Sequence, residues 1–287
     1  MRSLVALAAW MWTLSALAGP QIGFWEQEGA RVVFEKNKKG WSSRQIRVFT
    51  PANLATLSLK FERPDQWHAF FEGRSYGPVQ TAVFPRYEFY AQSGLQKITR
   101  APPAPFRTES EEFATGIKTK NLRPVLLTDQ PVKDPEVWSK SAAAPKALKK
   151  AKDKFILLFG RGLDFAKDSE FQNKDPKRRL RAEDLRLQTV YRSRRGDELF
   201  SLAARFQDSF VRCSRTGVDC PIESKQWFLA RQGQVTSLGD AVALIAAADA
   251  DRDGKSEFFF FLNRNDQIGY ALVPPNGKRL EFLWTDH

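Results

Sequence analysis

The sequence Asp249-Ala250-Asp251-Arg252-Asp253-Gly254-Lys255-Ser256-Glu257 leads directly into four phenylalanines, Phe258-Phe259-Phe260-Phe261. Successive side chains of a β-strand point to opposite faces of its sheet, so this strand would present aromatic rings on both faces. A strand that is apolar on both faces has to be covered on both sides. We therefore predict that residues 257–262 form a central core strand, with the acidic segment as a loop at its end.

The acidic loop has the spacing with which a short peptide wraps an oxygen-seeking cation. Asp249, Asp251 and Asp253 stand at loop positions 1, 3 and 5, where each would offer a carboxylate. Lys255 at position 7 would offer its backbone carbonyl, and Glu257 at position 9 would close the site directly or through a water molecule. These five residues are the predicted metal ligands.

Glycine at position 6 strengthens the prediction of a cation. The chain turns sharply at Gly254, in a conformation that a side chain would resist. Three aspartates within five residues repel one another unless a positive charge lies among them. The alternative is an acidic β-turn without a metal, in which Arg252 and Lys255 partly neutralise the carboxylates. The regular spacing favours a structural Ca²⁺, and extracellular calcium modules often bind it at only ~10⁻⁴–10⁻³ M.

The loop and its flanks resemble the calcium-loop units of the FG-GAP and VCBS families. Those units run from an apolar strand through Asp-x-Asp-x-Asp-Gly-x-x-acid into a second apolar strand. Here Val242-Ala243-Leu244-Ile245 leads in and the phenylalanine strand leads out. The resemblance implies calcium binding by the loop, and it covers about twenty residues in a single copy, whereas family members usually carry several copies in a propeller. An EF-hand fits less well, because Phe260 stands at position 12 where that loop has a glutamate.

The first eighteen residues predict a secretory signal peptide that is cleaved after Ala18. Arg2 provides a positive start, an apolar run follows, and Ala16-Leu17-Ala18 fits the small-x-small cleavage pattern. The alternative is an uncleaved anchor, for which the apolar run is short. No later segment is long and apolar enough to cross a membrane. The sequence thus predicts a soluble extracytoplasmic chain, either periplasmic or secreted.

The two cysteines agree with an oxidising compartment. Cys213 and Cys220 bracket a short segment containing Gly217, and a hairpin there would bring them together as a disulfide. A pair of metal ligands is the alternative, but no second Cys or His cluster exists to complete such a site.

Runs of strand-forming residues between Gly, Pro and Asn turns predict a mostly β fold. We expect antiparallel sheets in a sandwich, barrel or propeller-like fragment, arranged as two β-rich lobes. A proline- and lysine-rich linker at residues 131–153 would separate a lobe at 19–130 from one at 154–287. The predicted strands are 22–26, 31–35, 44–50, 55–62, 79–84, 87–91, 155–159, 185–191, 198–204, 226–231, 242–248 (strand or short helix), 257–262, 267–273 and 279–284.

The net charge of +12 favours contact with anionic surfaces or polymers. Basic residues concentrate at 146–154, at 174–186 and around Arg194. They predict either a patch for an anionic polymer or envelope surface, such as nucleic acid or lipopolysaccharide phosphates, or simply solvated loops.

No catalytic apparatus is visible in the sequence. The only histidines are His68 and His287, and no nucleophile elbow, phosphate-binding loop or zinc motif occurs. We therefore expect a non-catalytic binding or structural role. The alternative is an extracytoplasmic hydrolase that uses two carboxylates from distant strands. Its candidate acids are Glu109, Glu111, Glu112, Glu183 and Asp184.

Overall fold

The computed structural model describes residues 19–26, 29–44, 64–82, 86–87, 94–103, 123–159, 163–164, 180–204, 212–213, 225–264 and 267–285. These residues form antiparallel sheets and one α-helix, and none of the sheets closes on itself. The predicted mostly β, antiparallel fold class is confirmed. Within the described ranges, the helix is too short and too polar to cross a membrane.

The largest sheet collects the described strands of the N-terminal half. Its order is β6-β7-β2-β1-β9-β4-β5-β8, and β3 pairs with β2. The last strand in sequence, β9, lies between β1 and β4, so the chain leaves this sheet from its middle. The strands are β1 (Gln21–Trp25), β2 (Ala30–Asn37), β3 (Gly40–Ser43), β4 (Gln66–Phe71), β5 (Arg74–Thr81), β6 (Arg86–Tyr87), β7 (Gly94–Gln96), β8 (Ile98–Arg100) and β9 (Val125–Thr128).

A five-stranded sheet follows in the order β10-β12-β13-β15-β16. Helix α1 (Leu148–Phe159) lies on one face of this sheet, where Ala151 and Phe155 join Phe200 and Phe228 in a hydrophobic core. A separate two-stranded sheet pairs β11 with β14. The strands are β10 (Ser139–Lys140), β11 (Leu163–Asp164), β12 (Leu185–Arg192), β13 (Glu198–Ala204), β14 (Arg212–Cys213), β15 (Gln226–Arg231) and β16 (Gln234–Asp240).

The remaining described sheet is a four-stranded meander. Its strands pair in sequence order, and Leu280–Thr285 forms the edge opposite Ala243–Ala248. The strands are β17 (Ala243–Ala248), β18 (Glu257–Arg264), β19 (Gln267–Val273) and β20 (Leu280–Thr285).

The four-stranded sheet is the middle layer of the molecule. On one of its faces Phe259 and Phe261 pack with Phe24 and other residues of the nine-stranded sheet. On its other face Phe258 and Phe260 pack with Trp227 and other residues of the five-stranded sheet. All four phenylalanines are at most 1 % exposed. The prediction that this strand is central and covered on both sides is confirmed.

One predicted strand is wrong. Residues 155–159 belong to helix α1, which begins inside the predicted linker. The apolar residues fit a helical period, because Ala151 and Phe155 are four residues apart and buried, whereas Leu157 and Leu158 are exposed. Residues 148–154 are mostly leucine, lysine and alanine, which are good helix formers and favour a helix that continues into residues 155–159. The segment 242–248, which the sequence predicts as a strand or a short helix, contains β17 at Ala243–Ala248.

The segment after β9 is tied into the core. Asp134 accepts hydrogen bonds from the backbone N–H groups of Glu136, Val137 and Trp138, and Trp138 packs against Phe258. In addition, one hydrophobic cluster contains residues from both sides of the predicted linker. The division into 19–130, 131–153 and 154–287 stays a prediction.

Some predictions fall on residues outside the described ranges. These are the signal peptide, the strand at 55–62, most of the strands at 44–50 and 87–91, and Cys220. The predicted disulfide between Cys213 and Cys220 therefore stays a prediction.

We predict that Phe259→Ala and Phe260→Ala each lower the free energy of unfolding by about 3–5 kcal/mol, because each truncation opens a cavity in a different core. Denaturant unfolding measures this change. Leu157→Ala is the control, since Leu157 is 67 % exposed on α1 and its loss should cost less than about 0.5 kcal/mol. If only one of the two phenylalanines proved costly, β18 would be covered on one face alone.

Candidate metal centre

The acidic loop joins β17 to β18 and turns twice in the left-handed region. Arg252 has φ 62° and Gly254 has φ 85°. A Cβ added at Gly254 would meet no atom within 4 Å, so glycine is favoured there by the backbone conformation and not by lack of space. The prediction that the chain turns sharply at Gly254 is confirmed.

Both ends of the loop are tied to the segment that follows β9. At its start, the Asp249 N–H donates to the Lys133 carbonyl at 2.8 Å. At its end, the Ser256 hydroxyl donates to Asp134 Oδ1 at 2.7 Å. The same Asp134 carboxylate holds the turn that leads to β10, so the loop is anchored to the chain that connects the outer sheets.

The aspartates order the loop through its own backbone. Asp249 accepts from the N–H of Asp253 at 2.9 Å and from the N–H of Gly254 at 3.0 Å. Asp251 Oδ1 accepts from the Asp253 N–H at 3.1 Å, and Asp253 Oδ1 from the Lys255 N–H at 2.9 Å. An ionised carboxylate has about four acceptor positions, so these bonds leave capacity for an ion.

Three of the four predicted carboxylates converge. One oxygen each from Asp249, Asp251 and Glu257 lies within 4.8 Å of the others. Oxygens that share a Ca²⁺ at 2.3–2.6 Å are at most about 5 Å apart, so this grouping fits one ion. Asp253 is exposed and lies outside the group. The part assigned to the Lys255 carbonyl stays a prediction.

Glu257 is the most deeply buried residue of the three-carboxylate group. Glu257 is fully buried, and its Oε2 accepts a hydrogen bond from the Ala250 N–H at 2.7 Å. Its other oxygen, Oε1, is buried and has no hydrogen-bond partner among the described residues. Burying a charge without a partner is costly, and in practice the group holds a proton or finds a counter-ion.

The pKa values follow from this burial. Desolvation raises the pKa of Glu257 to about 8, and the negative charges of Asp251, Asp253 and Asp249 add to the rise. Burial also raises the pKa of Asp249, again with a contribution from its two acidic neighbours. Both shifts mean that burial and the neighbouring carboxylates disfavour the charged forms of Glu257 and Asp249.

A lysine from another sheet supplies part of the missing positive charge. Lys36 lies near the end of β2, and its Nζ forms an ion pair with Asp251 Oδ2. The two residues are 215 positions apart in sequence. Arg252 and Lys255 are the neutralising residues that the sequence itself indicates. Lys36 cannot be predicted in this role, because no local pattern marks a contact between distant parts of the chain.

The other candidate acids do not form a second centre in the described part of the chain. Glu183 is exposed and pairs with Arg181, while Asp184 accepts the backbone N–H of Arg181 at 2.8 Å in a short 3₁₀ turn. Glu109, Glu111 and Glu112 lie outside the described residues. Burial lowers the pKa of His68, which lies on β4.

The basic residues of helix α1 have local partners. The ammonium groups of Lys150, Lys152 and Lys154 each donate to a backbone carbonyl, at Gly233, Ala182 and Val235 respectively. Most of the basic group at 174–186 lies outside the described residues. The anionic-surface prediction therefore stays a prediction.

Comparison of the chain with protein-family models, curated proteins and solved structures finds no match. The site offers converging carboxylates, one buried oxygen without a described partner, and an ammonium from the neighbouring sheet.

We predict that calcium-free protein loses stability as the pH rises from about 4.5 to about 8. Glu257 has an ordinary pKa of 4.5 when unfolded and about 8 when folded, so in this window the folded state binds more protons than the unfolded state. The unfolding free energy then falls with rising pH, by at most about 1.4 kcal/mol per pH unit. Glu257→Gln should remove this slope and, in chelator at pH 8, should melt above the wild type.

Thermal unfolding in chelator across this pH range provides the measurement. Glu183→Gln is the control, because it removes an exposed carboxylate and should keep the wild-type slope. Parallel pH profiles for Glu257→Gln and wild type would show that Glu257 does not hold a proton in the folded protein.

Proposed function

We propose that this chain is a non-catalytic extracytoplasmic protein with a binding or structural role, in which the loop at residues 249–257 binds a structural Ca²⁺. The observation that carries the proposal is the convergence of the Asp249, Asp251 and Glu257 carboxylates, together with a buried Glu257 Oε1 that has no hydrogen-bond partner among the described residues. A cation at this point would satisfy that oxygen and relieve the repulsion among the three carboxylates.

The donor set supports calcium above other metals. All of the converging side chains offer oxygen, which suits a hard cation, whereas structural zinc sites usually contain sulfur or nitrogen ligands. Calcium tolerates irregular coordination by a flexible loop. Magnesium requires near-ideal octahedral geometry and keeps several waters, which a fully buried Glu257 ligand does not favour. The resemblance of the loop to FG-GAP and VCBS units points the same way.

The position of the loop supports a structural role for the ion. Glu257 is the first residue of β18, and Asp249 directly follows β17. An ion shared by these residues would join the ends of two neighbouring strands in the middle sheet. Because β18 supplies four phenylalanines to two cores, the ion would stabilise the centre of the molecule. The hydrolase alternative gains no support from Glu183 and Asp184, which have local partners.

We predict that 10 mM Ca²⁺ raises the melting temperature by roughly 3–10 °C, given a dissociation constant of ~10⁻⁴–10⁻³ M and the size of the protein. Mg²⁺ at the same concentration should give a smaller rise. Asp249→Asn should abolish the calcium-induced rise, because it removes the charge of one ligand. The variant keeps one acceptor oxygen for the hydrogen bonds within the loop. Differential scanning calorimetry in calcium and in chelator measures each shift.

Asp153→Asn is the matched control, since Asp153 is an exposed residue of α1. It should keep the full response to calcium. The proposal would be overturned by equal melting temperatures of the wild type with calcium and with chelator, or by an equal response in Asp249→Asn.

A further inference from the structure

The ion pair between Lys36 and Asp251 occupies the candidate metal centre itself. Lys36 is fixed at its backbone, where its N–H donates to the Pro20 carbonyl at 2.9 Å. Its Nζ lies 5.9 Å from the centre of the Trp41 ring, on the adjoining strand β3. A lysine of the nine-stranded sheet thus places its ammonium group against a loop of the four-stranded sheet.

The Lys36 ammonium pairs with the Asp251 oxygen that is not used in the hydrogen bond within the loop. Asp251 Oδ1 accepts the Asp253 N–H, whereas Oδ2 is the oxygen paired with Lys36. The Asp251 side chain is only 6 % exposed, so its charge is largely removed from water and needs a partner. The Lys36 side chain is 33 % exposed, which leaves its flexible stem a path to solvent.

Lys36 and a bound divalent cation would compete for the same carboxylate. A dication bonded to Asp251 would stand within a few ångströms of the ammonium, and two positive charges at that distance repel strongly in a partly buried site. The ammonium and the dication therefore compete for Asp251, and each would neutralise this carboxylate in the absence of the other.

We infer that Lys36 sets the calcium affinity of the loop, because its ammonium is the counter-charge of the metal-free state and leaves Asp251 when Ca²⁺ binds. This inference rests on the proposed function of the loop. Calcium binding then exchanges an ion pair between two sheets for ligand bonds within one sheet. It follows that the loop keeps its fold without metal, and that its calcium affinity is weaker than the carboxylates alone would give.

Isothermal titration of the purified protein with CaCl₂ tests the inference. Lys36→Met keeps the length and packing of the stem but removes the charge, and it should bind Ca²⁺ roughly tenfold more tightly than the wild type because the competing cation is gone. Lys36→Arg restores a cation and should bind within about threefold of the wild type. Lys39→Met removes an exposed charge near the same hairpin turn and should leave the affinity unchanged.

Thermal unfolding of the same variants provides a second readout. In chelator, Lys36→Met should melt below the wild type, because Asp251 loses its counter-charge. In saturating calcium the two proteins should melt alike. If Lys36→Met does not fold, Lys36→Gln replaces it in both experiments.

The outcomes separate this inference from the proposed function. Calcium binding by the wild type with equal or weaker binding by Lys36→Met would overturn the inference and leave the proposed function intact. Binding by Lys36→Met but not by the wild type would support Lys36 as the resident cation and overturn the proposed function. Absence of binding by both proteins, or an equal gain in Lys39→Met, would overturn the inference as well.

Discussion

Strand β18 carries four phenylalanines into two hydrophobic cores, and its first residue carries a carboxylate into the same interior. The two demands conflict, because burial favours the rings and penalises the charge. The strand can sit at the centre of the molecule only if the Glu257 carboxylate is protonated or finds a cation. The raised pKa of Glu257 follows from this conflict, and Lys36 brings a positive charge to the adjoining Asp251.

The loop is also a junction between the sheets. Lys36 reaches it from the nine-stranded sheet, while Asp134 binds Ser256 and holds the turn into β10 of the five-stranded sheet. The loop itself connects two strands of the middle layer. A cation at this junction would act on the packing of the nine-, five- and four-stranded sheets, so that a small site would affect the stability of a large core.

The sequence predicted the features that depend on local patterns. The alternating faces of the phenylalanine strand and the left-handed glycine each depend on a few neighbouring residues, and both appear in the structure. The spacing of the acids brings oxygens of Asp249, Asp251 and Glu257 together, whereas Asp253 lies outside this group. Helix α1 was missed because a short apolar run fits both a strand and a helix until its upstream residues are considered. Lys36 and the full burial of Glu257 could not be predicted, because they arise from contacts between strands that are distant in sequence.

A crystal structure of the protein grown or soaked in CaCl₂, with anomalous diffraction data, would show whether the loop binds calcium. We predict one calcium peak at 2.3–2.6 Å from carboxylate oxygens of Asp249, Asp251 and Glu257, with the Lys36 ammonium withdrawn from Asp251. A structure at saturating calcium with no peak in the loop and with the Lys36–Asp251 ion pair intact would contradict this prediction.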